Sequence, residues 1–197
     1  DRLDGMDAVR PEVRRVTLTN DTDQPRRIGV ASYGEAVLAA AGADRRHQAF
    51  TKLFVESEYL GDLPGLLLRR RPRSAAESPA YMVHMLVRGP GGEHNTWGHS
   101  CFEGDRARFL GRGRTPRRPA LLEEADWWEG RTPGGAGATL DPVTVLGQEL
   151  VLAPHSSVQF ALVTLVGERR PAALALAQRF TSWTAVERTF TRAQVSA

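Results

Sequence analysis

An antiparallel β-sandwich followed by two helices is the fold this sequence predicts, on three observations. Short segments of period-two alternation, rich in β-branched residues, recur with turn chemistry between them. One late segment, 158–166, is apolar on both faces: Val158, Phe160 and Leu162 oppose Ala161, Val163 and Leu165. A strand covered on both sides, lying between layers, has that pattern. After Gly167 the hydrophobic period changes from two to that of a helix.

Each element follows in order. Arg14, Val16 and Leu18 alternate with Arg15, Thr17 and Thr19, a half-buried strand. Asn20-Asp-Thr-Asp-Gln-Pro25 supplies a turn, because Asx side chains bond the local backbone and proline fixes φ. A second strand is expected over 26–38, with Ile28 and Val30 on one face and Tyr33, Glu35 and Val37 on the other; the two strands predict a hairpin. Residues 39–47 read as a loop or one helical turn. Alternation resumes over 50–59, and short strands are expected at 66–70 and 81–87. Turns at 61–64 and 89–92 and a polar loop at 71–79 separate them. A basic loop is expected over 103–119 and an irregular stretch over 123–138, before a strand at 150–153. Pro171 suits a first helical position, and 172–180 is helix-forming. Thr184-Ala-Val-Glu187 has the capping-box pattern, and Val186, Phe190 and Ala193 line one face of the helix it would open. That apolar stripe is expected to need a partner beyond this chain.

The chain has 197 residues, enough for one domain with a sizeable core, and its 41% hydrophobic and 25% charged residues fit a globular protein. The formal charge is +3 and the pI about 9.6. Lys52 is the only lysine, so nearly all basic charge is arginine, most simply a GC-rich coding bias. Cys101 is the only cysteine, which excludes an intramolecular disulfide and permits a reducing compartment. No apolar run is long enough to span a bilayer and no signal peptide is visible, so a cytoplasmic location is expected. The first residues lack an initiator Met, and a piece of a longer protein is expected.

Few motifs carry chemistry. There is no phosphate-binding Gly-x4-Gly-Lys loop, no dinucleotide fingerprint and no nucleophile elbow. His94, His99 and Cys101 fall close together but lack a fourth ligand for tetrahedral zinc, and no metal site is expected. Glu56, Glu58, Glu103 and Asp105 could pair as acid and base, although Glu56 and Glu58 read more simply as one solvated strand face. The run Phe102-Glu-Gly-Asp-Arg-Ala-Arg-Phe-Leu-Gly-Arg-Gly-Arg114 is the most distinctive stretch. Its arginines could meet phosphates of a nucleic acid, stay solvated, or face a polar substrate or neighbouring domain while Phe109 packs. The small net charge and the lack of a nucleic-acid-binding fold signature count against the first reading, and the third is preferred chiefly for the family resemblance that follows.

Several stretches, in order over nearly the whole chain, resemble glycoside hydrolase family 94, formerly glycosyltransferase family 36. They are Glu12-Val-Arg-Arg-Val-Thr-Leu-Thr-Asn20, Ser32-Tyr-Gly-Glu-Ala-Val-Leu38, His47-Gln-Ala-Phe-Thr-Lys-Leu-Phe-Val-Glu56, Arg71-Pro-Arg-Ser74, Asp105-Arg-Ala-Arg-Phe-Leu-Gly-Arg112, Leu140-Asp-Pro142 and Thr191-Arg-Ala-Gln194. Within the family the likeness is to the phosphorylase-like region of cyclic β-1,2-glucan synthases. The resemblance implies an antiparallel β-supersandwich, galactose-mutarotase-like, over 1–167. It would lack its first strands and be followed at 168–197 by helices linking to an (α/α)6 barrel outside this chain. The implied parent reaction is inverting phosphorolysis of a β-glucosidic bond, with inorganic phosphate or a sugar phosphate and no other cofactor.

The family's catalytic groups lie in the barrel, so none is carried over to this chain. The resemblance instead places Asp105, Arg106, Arg108, Phe109 and Arg112 near the barrel or the sugar, and leaves Trp97, Trp127 and Trp128 as candidates to stack on a sugar face. Implied partners are the downstream barrel, a β-glucan or glucoside, and a second copy in a homodimer. No nucleic acid and no membrane insertion by this chain are expected, although other regions of the parent could attach it to the inner membrane. Two other readings stand beside this one: a free-standing carbohydrate-binding or mutarotase-like protein, and a basic nucleic-acid-binding module.

Overall fold

The computed structural model describes residues 11–74 and 77–195. In chain order its elements are β1 (Glu12–Asn20), β2 (Arg26–Glu35), α1 (Ala41–Arg46), α2 (Gln48–Lys52), β3 (Val55–Leu60), β4 (Gly65–Arg70), β5 (Ala80–Gly91), β6 (Thr96–Asp105), α3 (Arg106–Leu110), a 3-10 turn (Leu121–Glu123), α4 (Ala125–Trp128), β7 (Gly137–Ala138), β8 (Pro142–Leu152), β9 (Ser156–Gly167), α5 (Arg170–Arg179) and α6 (Trp183–Val195). The expected domain start at residue 1, residues 75–76 of the polar loop and the last two residues of the expected linker lie outside the described residues.

The strands form two antiparallel sheets, one ordered β1-β9-β5-β4-β3-β7 and the other β2-β8-β6. The doubly apolar β9 lies inside the larger sheet, between β1 and β5. Its Ala161, Val163 and Leu165 pack under α5 and α6, with Ala173, Ala177 and Val186. Its Phe160 and Leu162 face the smaller sheet and meet Leu146 and Trp97. The outer face of the smaller sheet is covered in turn by Phe109, Leu121 and Trp127 from α3, the 3-10 turn and α4. Two sheets thus share an inner core, and each has a helical cover outside it.

The expected hairpin does not form. β1 pairs with β9 and β2 with β8, in different sheets. The turn residues at 20–25 instead carry the chain across the corner of the sandwich, where the β8–β9 connection crosses too. Asn20 fastens the two crossings. Its Nδ2 donates to Gln24 O at 2.8 Å and Ala153 O at 2.9 Å, while its Oδ1 accepts from Thr22 N at 3.1 Å. Asn95, on the β5–β6 crossing, joins the same corner: its Oδ1 accepts from Ala153 N at 2.9 Å and Ser156 Oγ at 2.7 Å. Side-chain amides satisfy backbone groups that no ladder reaches here.

Other expectations are corrected by local forces. The second strand stops at Glu35, because Ala36 and Leu38 turn inward to the core. The alternation over 50–59 begins as helix: Thr51 Oγ1 bonds back to Gln48 O at 2.9 Å, and the strand starts only at Val55. Residues 89–92 are not a turn, since β5 runs to Gly91 through an irregularity after Arg88. The basic loop is strand through Asp105 and helix through Leu110, leaving only the remainder irregular. The stretch over 123–138 contains α4 and β7, and β8 starts at Pro142, well before residue 150. Helix α6 begins at Trp183, so Thr184 is inside its first turn; Glu187 accepts from Trp183 Nε1 at 2.9 Å rather than closing a capping box. The stripe thought to need an outside partner finds one in this chain: Val186 is fully buried and Phe190 packs on the same cluster, while Ala193 is exposed.

Candidate functional site

At one end of the smaller sheet, β2 finishes, β6 finishes and β8 begins, so three strand ends converge there. Helix α2 brings Lys52 to the same place. The Lys52 ammonium donates to Asp141 Oδ1 at 2.6 Å and Glu35 Oε2 at 3.1 Å. Arg106 Nε lies 3.2 Å from Glu35 Oε1, and its Nη1 lies 3.4 Å from Asp141 Oδ2. The Tyr33 hydroxyl donates to Glu35 Oε1 at 2.7 Å and accepts from Arg106 Nε at 3.2 Å. Two cations and two carboxylates therefore alternate in one closed cluster, with a tyrosine at its edge.

The local sequence holds each member in place. Asp105 caps α3, its Oδ1 accepting from Ala107 N at 2.9 Å. That cap starts the helix at Arg106, whose own N–H donates to Asp141 O at 3.0 Å. Phe109, two per cent exposed, comes from the same short helix and stacks on Tyr33 with ring centroids 5.4 Å apart. The hydrogen bond from Tyr33 holds the Glu35 carboxyl below its ordinary range against the opposing effect of burial, and Lys52 adds to the depression. Burial raises the Tyr33 hydroxyl, and the bond to Glu35 raises it further. Burial alone would lower the Lys52 ammonium, but its bonds to Asp141 and Glu35 outweigh burial and raise it. Glu35 and Lys52 thus each favour the charged form of the other.

A third carboxylate stands behind it. Glu103 has no exposed surface; its Oε1 accepts from Gly104 N and Asp105 N, each at 2.9 Å, and its Oε2 from Gly135 N at 3.2 Å. Arg108 lies 3.3 Å from it and also donates to Pro133 O at 2.6 Å. Burial raises the Glu103 carboxyl. Sealed by backbone amides, it organises the 133–137 segment and offers no oxygen to a substrate. A general acid needs a raised pKa together with access to the reacting group. Glu35 has the access without the raised pKa, and Glu103 the reverse.

The expected site residues separate by environment. Arg106 belongs to the cluster and Asp105 caps the helix that carries it, Arg108 serves Glu103, Phe109 packs, and Arg112 is exposed in the loop beyond. Trp127 is fully buried in the outer core, so it has no face for a sugar. Trp97 points between the sheets, its ring edge-on to Phe160 and covered by the Arg88 guanidinium 5.3 Å from its centroid. Trp128 lines an open groove. Glu56 pairs with Arg69 and Arg71, and Glu58 with Arg170. Among the described residues no group of three or more His, Cys, Asp or Glu side chains converges as metal ligands. The Cys101 thiol is pushed up to about 12 by burial, which leaves it protonated and inert. No described helix is long and apolar enough to cross a membrane.

Reading residues singly missed Tyr33, Glu35, Lys52 and Asp141. A signal existed. The stretches 32–38, 47–56, 105–112 and 140–142, noted above for their family likeness, supply Tyr33 and Glu35, Lys52, Arg106, and Asp141 respectively. Four of the seven such stretches meet in one cluster. The isolation of Lys52 among twenty-five arginines points the same way: an ammonium is a compact charge that two carboxylates can share in a confined space.

Comparison with known proteins agrees with this architecture. The family model described as glycosyl hydrolase 94, supersandwich domain, matches residues 8–183. The chain is also 38% identical over 136 residues to the cyclic beta-(1,2)-glucan synthase NdvB of Rhizobium meliloti (strain 1021). That match covers 68% of this chain and 4% of the relative. The two antiparallel sheets, the order of the matching stretches and the extent of the match together establish that this chain belongs to glycosyl hydrolase family 94, as its supersandwich domain.

Proposed function

We propose that this domain is the non-catalytic partner of a glucan-processing catalytic domain, and that its Tyr33–Glu35–Lys52–Arg106–Asp141 end shapes or completes a sugar site. The observation that carries this reading is the convergence of four family-like stretches on that one cluster. A stable sandwich needs no such cluster at its rim, since taking charges out of water is costly even when they are paired. A preorganised set of carboxylates, guanidinium and tyrosine hydroxyl is, however, what a polyhydroxylated ligand or a polar domain interface requires.

In this reading a helical barrel downstream supplies the catalytic groups and uses inorganic phosphate or a sugar phosphate, and a β-1,2-linked glucan is the substrate class. Helices α5 and α6 lead toward that barrel, and a second copy of the chain is a further partner. The test extends the chain through its downstream sequence and measures phosphorolysis of linear β-1,2-glucan. Arg106→Met should lower kcat/KM at least about tenfold, the loss of one charged hydrogen bond. An unchanged kcat/KM in a folded Arg106→Met protein would remove the reading.

A further inference from the structure

Outside the charged cluster, a groove of about 430 Å³ opens on the outer face of the smaller sheet, lined by Arg27, Gly29, Leu122, Trp128, Glu129 and Glu149 among others. That volume lies in the range of roughly 300–1,000 Å³ typical of small-molecule sites. We propose that this groove is a second sugar-binding subsite, taking a neutral pyranose unit of a glucan chain on Trp128. The proposal rests on the glucan reading above and adds a site to it.

Three features of the groove fit that ligand. The first is how the indole is seated. Trp128 Nε1 donates to Leu122 O at 3.0 Å, and its six-membered ring lies against Gly29, where a Cβ would come within 2.8 Å of it. A side chain at position 29 would displace the ring, so a glycine in mid-strand admits it. The ring is thereby fixed beside an open groove, and a rigid aromatic plate suits the C–H face of a pyranose. The second feature is the rim. Arg27 is ion-paired with Glu149, and Glu129 with Arg131. Guanidinium and carboxylate side by side present donors and acceptors in one plane, which matches neighbouring hydroxyls. The third is charge: Arg27 is engaged by Glu149, and Arg131 is shared by Glu129 and Asp126, so no guanidinium of the rim is left over for a phosphate and the groove favours an uncharged polyhydroxylated ligand.

Position adds to the case. Arg27, Gly29, Tyr33 and Glu35 lie on the same face of β2, since side chains two apart share a face. Gly29 and Glu35 are six residues apart, roughly 20 Å at ~3.3 Å per residue. The groove and the cluster therefore lie along one strand, separated by a distance that an extended glucan chain can bridge.

The test titrates the 197-residue chain with short linear β-1,2-gluco-oligosaccharides, using calorimetry together with tryptophan fluorescence. Saturable binding with a fluorescence change is expected. Arg27→Met and Glu149→Gln should each weaken it about tenfold, as one charge-assisted hydrogen bond predicts. Glu56→Gln, on the far sheet, should leave it unchanged. Trp128→Ala could unfold the outer core, so the two rim variants decide the matter, with circular dichroism confirming their fold. Absence of binding by the folded wild-type chain overturns the subsite, as does binding that both rim variants retain. Neither result touches the proposed function, which is read separately from Arg106→Met turnover in the extended chain.

Discussion

The His84 imidazole spans the gap between the two sheets: its Nε2 lies 3.0 Å from the Ser32 hydroxyl on β2, and its Nδ1 lies 2.9 Å from Thr164 Oγ1 on β9. Ser32 Oγ also accepts from Leu146 N at 3.1 Å, so one buried histidine links three strands of the larger and smaller sheets to a fourth. Such a bridge fixes how the sheets sit over each other, which apolar packing alone specifies less sharply.

This bridge makes stability depend on pH. Burial, with a smaller contribution from Arg14, lowers the His84 pKa from 6.5 to about 4. The folded state therefore resists a proton that the unfolded chain accepts. The stability due to neutral His84 is complete above pH 6.5 and drains as pH falls toward 4, by roughly 3 kcal/mol over the window. Urea midpoints at a series of pH values from 7 to 4 should show this slope, and His84→Gln, which cannot titrate, should flatten it. An equal slope in both proteins would place the pH dependence elsewhere.

Lys52 is the keystone of the charged cluster, being the member with least exposed surface. Lys52→Met would leave Glu35 and Asp141 facing each other with only Arg106 between them. Stripping one partner from a fully buried pair costs roughly 3–5 kcal/mol. Both carboxylates here keep about a third of their surface in water, which screens the repulsion, so a loss of about 2 kcal/mol is expected. Adding Glu35→Gln should recover part of the loss, a coupling that a double-mutant cycle in denaturant measures directly. The depressed Glu35 carboxyl gives the same cluster an acid limit: its contribution is present above the ordinary carboxylate pKa and is lost as pH falls through the depressed value.

Much of the larger sheet was legible in the sequence, and most of the site was not. The strands at 66–70, 81–87 and 158–166 declared themselves because their apolar residues are contiguous or alternate cleanly, and burial on both faces of β9 follows from that pattern alone. Pairing was illegible. The turn chemistry at 20–25 is equally good for a hairpin or for a crossing between sheets, and only the buried amide of Asn20 reaching Ala153 distinguishes them. The early part of β8 was hidden because Gly147, Gln148 and Glu149 interrupt its apolar run. In the fold Gln148 is buried, its Nε2 donating to Gly98 O at 3.0 Å and its Oε1 accepting from Arg88 at 2.9 Å. The cluster was hidden for a different reason: its members lie on four separate segments and meet only when three strand ends and a helix do.

Glu103 should govern the order of the segment that follows α4. Glu103→Gln keeps the shape but exchanges one acceptor oxygen for an amide nitrogen, which must then face either the Gly135 N–H and Arg108 or the Gly104 and Asp105 N–H groups. An unsatisfied buried group of this kind costs about 1–3 kcal/mol. Part of the cost is expected locally, as faster amide hydrogen exchange at Gly135 and Gly137, with β9 amides unaffected below the global unfolding limit. Uniform acceleration across the chain would show that Glu103 acts on global stability instead.

Two glycines should respond in opposite directions to the same change. Gly42 lies in α1 with no atom within 4 Å of where a Cβ would stand. Gly42→Ala removes unfolded-state entropy at no steric cost and should raise stability by about 0.5–1 kcal/mol. Gly147 lies in β8, where a Cβ would come within 2.5 Å of both Cys101 Sγ and the Trp127 ring. The Trp127 ring is locked in the outer core and cannot swing aside, so Gly147→Ala must push the sheet and α4 apart, at about 1–3 kcal/mol. Chemical denaturation of the two variants beside the parent chain measures both. If Gly147→Ala were neutral, the packing of α4 on the smaller sheet would be looser than these contacts require, and the seat of Trp128 next to it would be correspondingly less fixed.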